Sequence, residues 1–122
     1  MNLQISDSFT KALPSDEVED NFVRQVTGAC YSYTMPTPCS APTLIHANIE
    51  LCELLGITME DIQREDFLPI FSGNRIYADT TPYSMCYGGH QFGSWAGQLG
   101  DGRAINLFEI NNRAHVLSLI PA

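Results

Sequence analysis

The sequence predicts an α+β fold, with short helices first and two or three antiparallel strands after them. Two stretches carry that expectation. At the C-terminal end, "RAINLFEI" and "HVLSLI" are rich in β-forming residues and are separated by the turn-forming "NNRA". Upstream, "APTLIHANIELCELLG" has the apolar spacing and end signals of a helix. Helices and strands fall in separate blocks, which argues against a βαβ alternation. At 122 residues, without an internal repeat or a Pro/Gly-rich boundary, the chain reads as one domain over residues 1–122.

Taken in order, "PSDEVEDNFVRQVTG" has the makings of a helix capped by Ser15 or Asp16. In "YTMPTPCSAP" the prolines fix φ and remove donors, so that segment is expected to be an extended surface strap. The next helix places Leu44, Ala47, Leu51, Leu54 and Leu55 on one stripe, with Pro42 near its start and Gly56 just past its end. Thr58 followed by Asp61 three residues later reads as an N-cap pair, and the apolar run after it ends at Ser72-Gly73-Asn74. Thr81-Pro82 repeats a cap-then-proline signature, which predicts another short helix through "YSMCYGG" to Gly88.

Charge and composition narrow the function classes. Fourteen acidic against six basic residues give a formal charge of −8, which opposes docking on phosphate backbones or anionic lipid, so neither nucleic acid nor membrane is an expected partner. There is no basic-then-apolar leader and no apolar run of the roughly 20 residues a spanning helix needs. A cytoplasmic location is expected. Cys30, Cys39, Cys52 and Cys86 are widely spaced with no CxxC pair, and they read as reduced thiols. His46, His90 and His115 are scattered away from cysteine or carboxylate partners, so no metal site is assigned.

Six of the nine glycines, Gly88, Gly89, Gly93, Gly97, Gly100 and Gly102, fall within "GGHQFGSWAGQLGDGRA". One reading makes Asp101-Gly102 a plain hairpin turn. A dinucleotide fingerprint fails because no G-x-G-x-x-G occurs, and a Walker A loop fails because no G-K-[ST] occurs. The remaining reading is a glycine-rich strand-turn-strand laid over a nucleotide, with bare backbone approaching phosphate and Arg103 supplying a planar, permanent charge.

The run "YGGHQFGSWAGQLGDGRAINL" closely resembles the hallmark segment of the selenoprotein O (SelO/YdiU) family, and "MPTPCSAPTLIHANIELCELLGI" and "FSGN" resemble that family's N-terminal region in the same order. The resemblance covers about Tyr31 to Leu107. It implies a protein-kinase-like (pseudokinase) fold, of which this would be the N-terminal portion: short helices, then a glycine-rich antiparallel β-hairpin. It also implies an adenylyltransferase that moves AMP from ATP to Ser, Thr or Tyr hydroxyls of protein substrates with Mg²⁺ or Mn²⁺. By the same resemblance Gly100, Gly102 and Arg103 contact ATP.

The likeness then changes character. The family usually reads L-G-E where this chain has Leu107-Phe108-Glu109, an aromatic in place of glycine that is expected to crowd the strand's neighbour. The family's L-K-G lysine has no counterpart, since Lys11 is the only lysine, and no catalytic or metal-binding residue is carried over. The expectation is a truncated or frameshifted member, catalytically incomplete, with a tail from about Phe108 not native to the fold. The rival expectation is a non-enzymatic acidic interaction module.

Overall fold

Two small antiparallel sheets meet where Asn106 pairs with Tyr83, through backbone hydrogen bonds of 2.7 and 3.0 Å. The computed structural model describes all residues except Asn21, Val23, Gly102, Arg103, Arg113, Ala114 and 120–122, and only the backbone at 98–101, 112 and 115–119. The first sheet contains β1 (Ile5–Ser6), β5 (Phe108–Asn112) and β6 (His115–Leu119), with β5 central. The second contains β2 (Tyr31–Tyr33), β3 (Tyr83–Gln91) and β4 (Ser94–Asp101), with β3 central. Among the described residues four short helices accompany them: α1 (Ser8–Ala12), α2 (Ile49–Leu55), α3 (Met59–Ile62) and α4 (Phe67–Phe71). The architecture is α+β, as expected.

The main core lies between α2–α4 and one face of the first sheet. Cys52, Leu55, Ile57, Phe67 and Ile70 meet Leu3, Leu107, Phe108 and Ile110 there. Phe108 is 4 % exposed and, far from crowding its strand, fills the core with its ring 5.5 Å from Tyr77 and edge-on to Phe71 at 6.1 Å. A second, aromatic cluster joins α1 to the other sheet, with Phe9 stacked on Tyr83 at 5.4 Å and Tyr31 packed against both.

Several local expectations hold. Gly56 ends α2 in the left-handed region at φ 73°, and Gly73 follows α4 at φ 77°. The capping box forms as read: Thr58 Oγ1 accepts from the Asp61 N–H, and Asp61 accepts from the Thr58 N–H, each at 3.1 Å. The two strands expected around "NNRA" pair, with Asn111 and Asn112 of the expected turn belonging to β5, and beyond Tyr33 the proline strap carries no regular structure, tied down where the Asn74 amide donates to the Cys39 carbonyl at 2.8 Å.

Others are corrected. The described residues of 14–28 are not helical: Arg24 gathers them into an irregular loop, paired with Asp16 and donating to the carbonyls of Val18, Asp20 and Phe22. Helix α2 starts at Ile49, not near Pro42, because Asn48 Oδ1 accepts from the Leu51 N–H at 2.9 Å and caps it there. Of the expected stripe only Leu55 is buried, while Leu44, Leu51 and Leu54 are exposed. Residues 83–88 belong to a strand, because β2 and β4 on its two sides satisfy its backbone, and Pro82 needs no donor just before it.

Asp61 also pairs with the α-amine of Met1 at 2.9 Å. That amine, followed by the Thr58 N–H, holds the Asp61 carboxyl at about 2, below its ordinary 3.8. The folded form is the stronger acid, so the unfolded chain takes the proton first as pH falls. The resulting stabilisation, about 1 kcal/mol after solvent screening, is complete above the unfolded value and lost as pH falls from 3.8 through about 2. Melting curves over that window should show a shallower acid slope for Asp61→Asn; equal slopes would remove Asp61 from the acid response.

Candidate functional site

The glycine stretch folds as the hairpin β3–β4, whose strands pair from Cys86–Asp101 out to Gln91–Ser94. Its tight turn is Phe92-Gly93, both at positive φ (50° and 80°), the two-residue geometry that matches strand twist. The Asp-Gly signal pointed farther along the chain. Asp101 is the last residue of β4, and Gly102 lies outside the described residues. Phe92 pays a conformational cost at a non-glycine φ and projects wholly into solvent.

Two glycines shape the hairpin for identifiable reasons. A Cβ on Gly88 would stand 2.6 Å from Trp95 Cη2 and 3.0 Å from the Gly97 carbonyl oxygen, so the indole packs against bare backbone. Gly97 sits at φ 77°, where the register shifts between Gly88 and His90. Across the strands His90 meets Trp95 edge-on, with ring centroids 5.0 Å apart. Trp95 is the chain's sole tryptophan, so its emission reports this contact directly. Gly88→Ala is expected to displace the indole, shift its fluorescence and cost about 1–2 kcal/mol; an unchanged spectrum and melt would show the contact to be dispensable.

Of the sequence-predicted site residues, Gly100 lies on β4 opposite Tyr87. Gly102 and Arg103 lie outside the described residues. The residues flanking that pair are fixed to β3, Asp101 opposite Cys86 and Asn106 opposite Tyr83. Asn106 is buried, and its Oδ1 has no hydrogen-bond partner among the described residues. Among the described residues no group of three or more His, Cys, Asp or Glu side chains could hold a metal ion. No helix of the described residues is long and apolar enough to cross a membrane.

The base of the hairpin contains a group that sequence reasoning missed. Glu109, 2 % exposed, accepts from the Tyr83 hydroxyl at 3.0 Å, the Ser8 N–H at 3.1 Å, the Ser8 hydroxyl at 2.7 Å and the Phe9 N–H at 3.2 Å. Helix α1 has no side-chain cap of its own from Asp7. A carboxylate from a distant strand takes that place, and the same carboxylate ties α1 to the first residue of β3. Alternation in "NLFEIN" was the available signal, since it puts Glu109 on the face opposite Phe108 and Ile110; only the packing of α1 shows that this face is covered.

The family model for protein adenylyltransferase SelO matches residues 17–119. That stretch runs on past Phe108. The protein nucleotidyltransferase YdiU of Flavobacterium johnsoniae is 55 % identical over 111 residues, covering 91 % of this chain and 21 % of its own length. The proteins of the same name from Aromatoleum aromaticum and Rhodopirellula baltica are 52 % and 45 % identical over 108 and 109 residues, 88 % and 89 % of this chain, and 21 % and 20 % of their own. The chain therefore spans about a fifth of the length of the curated relatives it matches.

Proposed function

Because this chain belongs to the protein adenylyltransferase SelO family, we propose that its glycine hairpin is the nucleotide-holding part of an enzyme that transfers AMP from ATP to protein hydroxyls. The observation that carries the reading is the form of the glycine stretch, a strand-turn-strand with side chains missing where backbone could approach a ligand. Gly100, Gly102 and Arg103 are the proposed ATP contacts. In this proposal the two glycines would leave backbone N–H groups open to phosphate oxygens, and the guanidinium would add a charge-assisted hydrogen bond. Mg²⁺ or Mn²⁺ would neutralise phosphate charge in the whole enzyme. The kinase-like fold and the protein substrates belong to the same proposal.

The residues that family resemblance assigns to catalysis have no counterpart in this stretch, so the test reads binding and not turnover. One loop working against a net charge of −8 supplies about −4 to −6 kcal/mol, a dissociation constant for ATP in the high micromolar to millimolar range. Calorimetric or NMR titration should show that binding reduced at least tenfold in Arg103→Ala and Gly102→Val, with melting curves establishing that both variants fold. Equal binding by folded variants would move the nucleotide elsewhere. A second reading, an interaction module, is favoured by the exposed Leu44, Ile45, Leu51 and Leu54 at and before α2. Concentration-dependent light scattering abolished by Leu51→Lys, together with no ATP binding, would favour it.

A further inference from the structure

Strand register brings together two cysteines that lie far apart in the sequence. β2 and β3 are antiparallel, with Tyr31 opposite Met85 and Ser32 opposite Ser84. One step beyond the last paired residues, the Cys86 N–H donates to the Cys30 carbonyl at 2.9 Å, which sets Cys30 opposite Cys86 at the end of the ladder, while the Cys30 N–H turns to the Pro14 carbonyl at 2.9 Å. Residues opposed across antiparallel strands have Cα atoms about 4.5–5.5 Å apart and side chains on one face. That separation falls within the range of roughly 4.4–6.8 Å that disulfides span. Both residues are partly exposed, so a small reagent can reach them, and no disulfide joins them in the structure.

The other two cysteines are differently placed. Cys39 is exposed on the strap, and its thiol donates to Asn74 Oδ1 at 3.4 Å. Cys52 is buried in the main core, where burial pushes its thiol up and lowers the fraction of reactive thiolate. Neither faces another cysteine in the strand register.

We propose that Cys30 and Cys86 form a covalent oxidation site that closes to an intramolecular disulfide with a low-molecular-weight disulfide such as oxidised glutathione. One thiolate attacks a glutathione sulfur, forming a mixed disulfide and releasing one glutathione thiolate. The facing thiolate then attacks the protein sulfur of that mixed disulfide, forming the Cys30–Cys86 bond and expelling the second glutathione. Two electrons pass from the cysteine pair to oxidised glutathione, and the two thiol protons leave with the two reduced glutathiones. The new bond encloses α2, α3 and α4 in a covalent loop and clamps β2 to β3 two residues before Gly88. It would fix the base of the hairpin whether or not the hairpin holds a nucleotide.

The test uses the full chain with oxidised glutathione in native buffer and in urea, with acid-quenched intact masses and peptide maps. The expected product has lost two hydrogens and yields a Cys30–Cys86 cross-linked peptide, forms at least tenfold faster in buffer than in urea, and melts higher until reductant is added. The double variant Cys39→Ser, Cys52→Ala should close in the same way, while Cys30→Ser stops at a glutathione adduct. If that double variant is unfolded, the wild-type peptide map decides. Stable glutathione adducts at Cys30 or Cys86 without closure, a different cysteine pair, or closure no faster in buffer than in urea would overturn the proposal.

Discussion

Replacing Phe108 with glycine, the residue the family resemblance implies there, is expected to lower the melting temperature by roughly 15 °C. Moving a sequence toward its family's common residue often stabilises it. Here the opposite follows from packing. The ring is 4 % exposed and sits between Tyr77 and Phe71 in the core cluster, so its removal leaves a cavity the size of a benzyl group beside Ile110 and Leu107. Truncating a buried phenylalanine costs about 3–5 kcal/mol, and glycine within a strand adds about 0.5–1 kcal/mol. Phe108→Leu, which retains most of the volume, should lose less than about 1.5 kcal/mol. Thermal melts of the three proteins check this, and a Phe108→Gly protein as stable as the parent would show that aromatic core to be unnecessary.

Glu109→Ala is expected to destabilise the fold by about 3–4 kcal/mol, because it strands several donors at once. The Tyr83 hydroxyl, the Ser8 hydroxyl and the backbone N–H groups of Ser8 and Phe9 all point at this carboxylate. Glu109→Gln keeps an acceptor oxygen but aims an amide N–H₂ at groups that are themselves donors, so about 1–2 kcal/mol is expected. Tyr83→Phe removes one donor and leaves the carboxylate satisfied by the rest, so it should cost about 1 kcal/mol. Urea titrations should rank the three in that order. If Glu109→Ala proved the mildest, the carboxylate would not be what holds α1 in place.

Features set by neighbouring residues were legible in the sequence. The Thr58–Asp61 box, Gly56 beyond α2, the stop at Gly73 and the two strands around "NNRA" each depend on a few adjacent positions. Features set by distant pairing were not. β1 and β2 are two and three residues long, too short for any periodicity, and exist because β5 and β3 receive them. The Thr81-Pro82 signature suggested a helix, but tertiary pairing on both sides of β3 overrode it. At the site, a glycine-rich hairpin was foreseeable, whereas its turn at Phe92-Gly93 was not, because that pair lacks the usual Asn or Asp; the reading of Asp101-Gly102 as a turn lies partly outside the described residues. Gly100 sits on the strand; the roles of Gly102 and Arg103 rest on the resemblance and the proposed titration. No spacing rule could have disclosed Cys30 facing Cys86, since only register creates that neighbourhood.

The carboxylate that holds α1 imposes an order in time as well as in space. Ser8 is synthesised 101 residues before its partner Glu109, so at about 5–20 residues per second the opening segment waits on the order of ten seconds for the strand it needs. Until then β1 has no β5 to pair with, and the α1 N–H groups have no acceptor from that strand. β1 and the start of α1 therefore settle only after β5 has been made. A nascent chain stalled short of residue 109 would present β1 and α1 to chaperones and proteases, whatever the helices in between had already achieved.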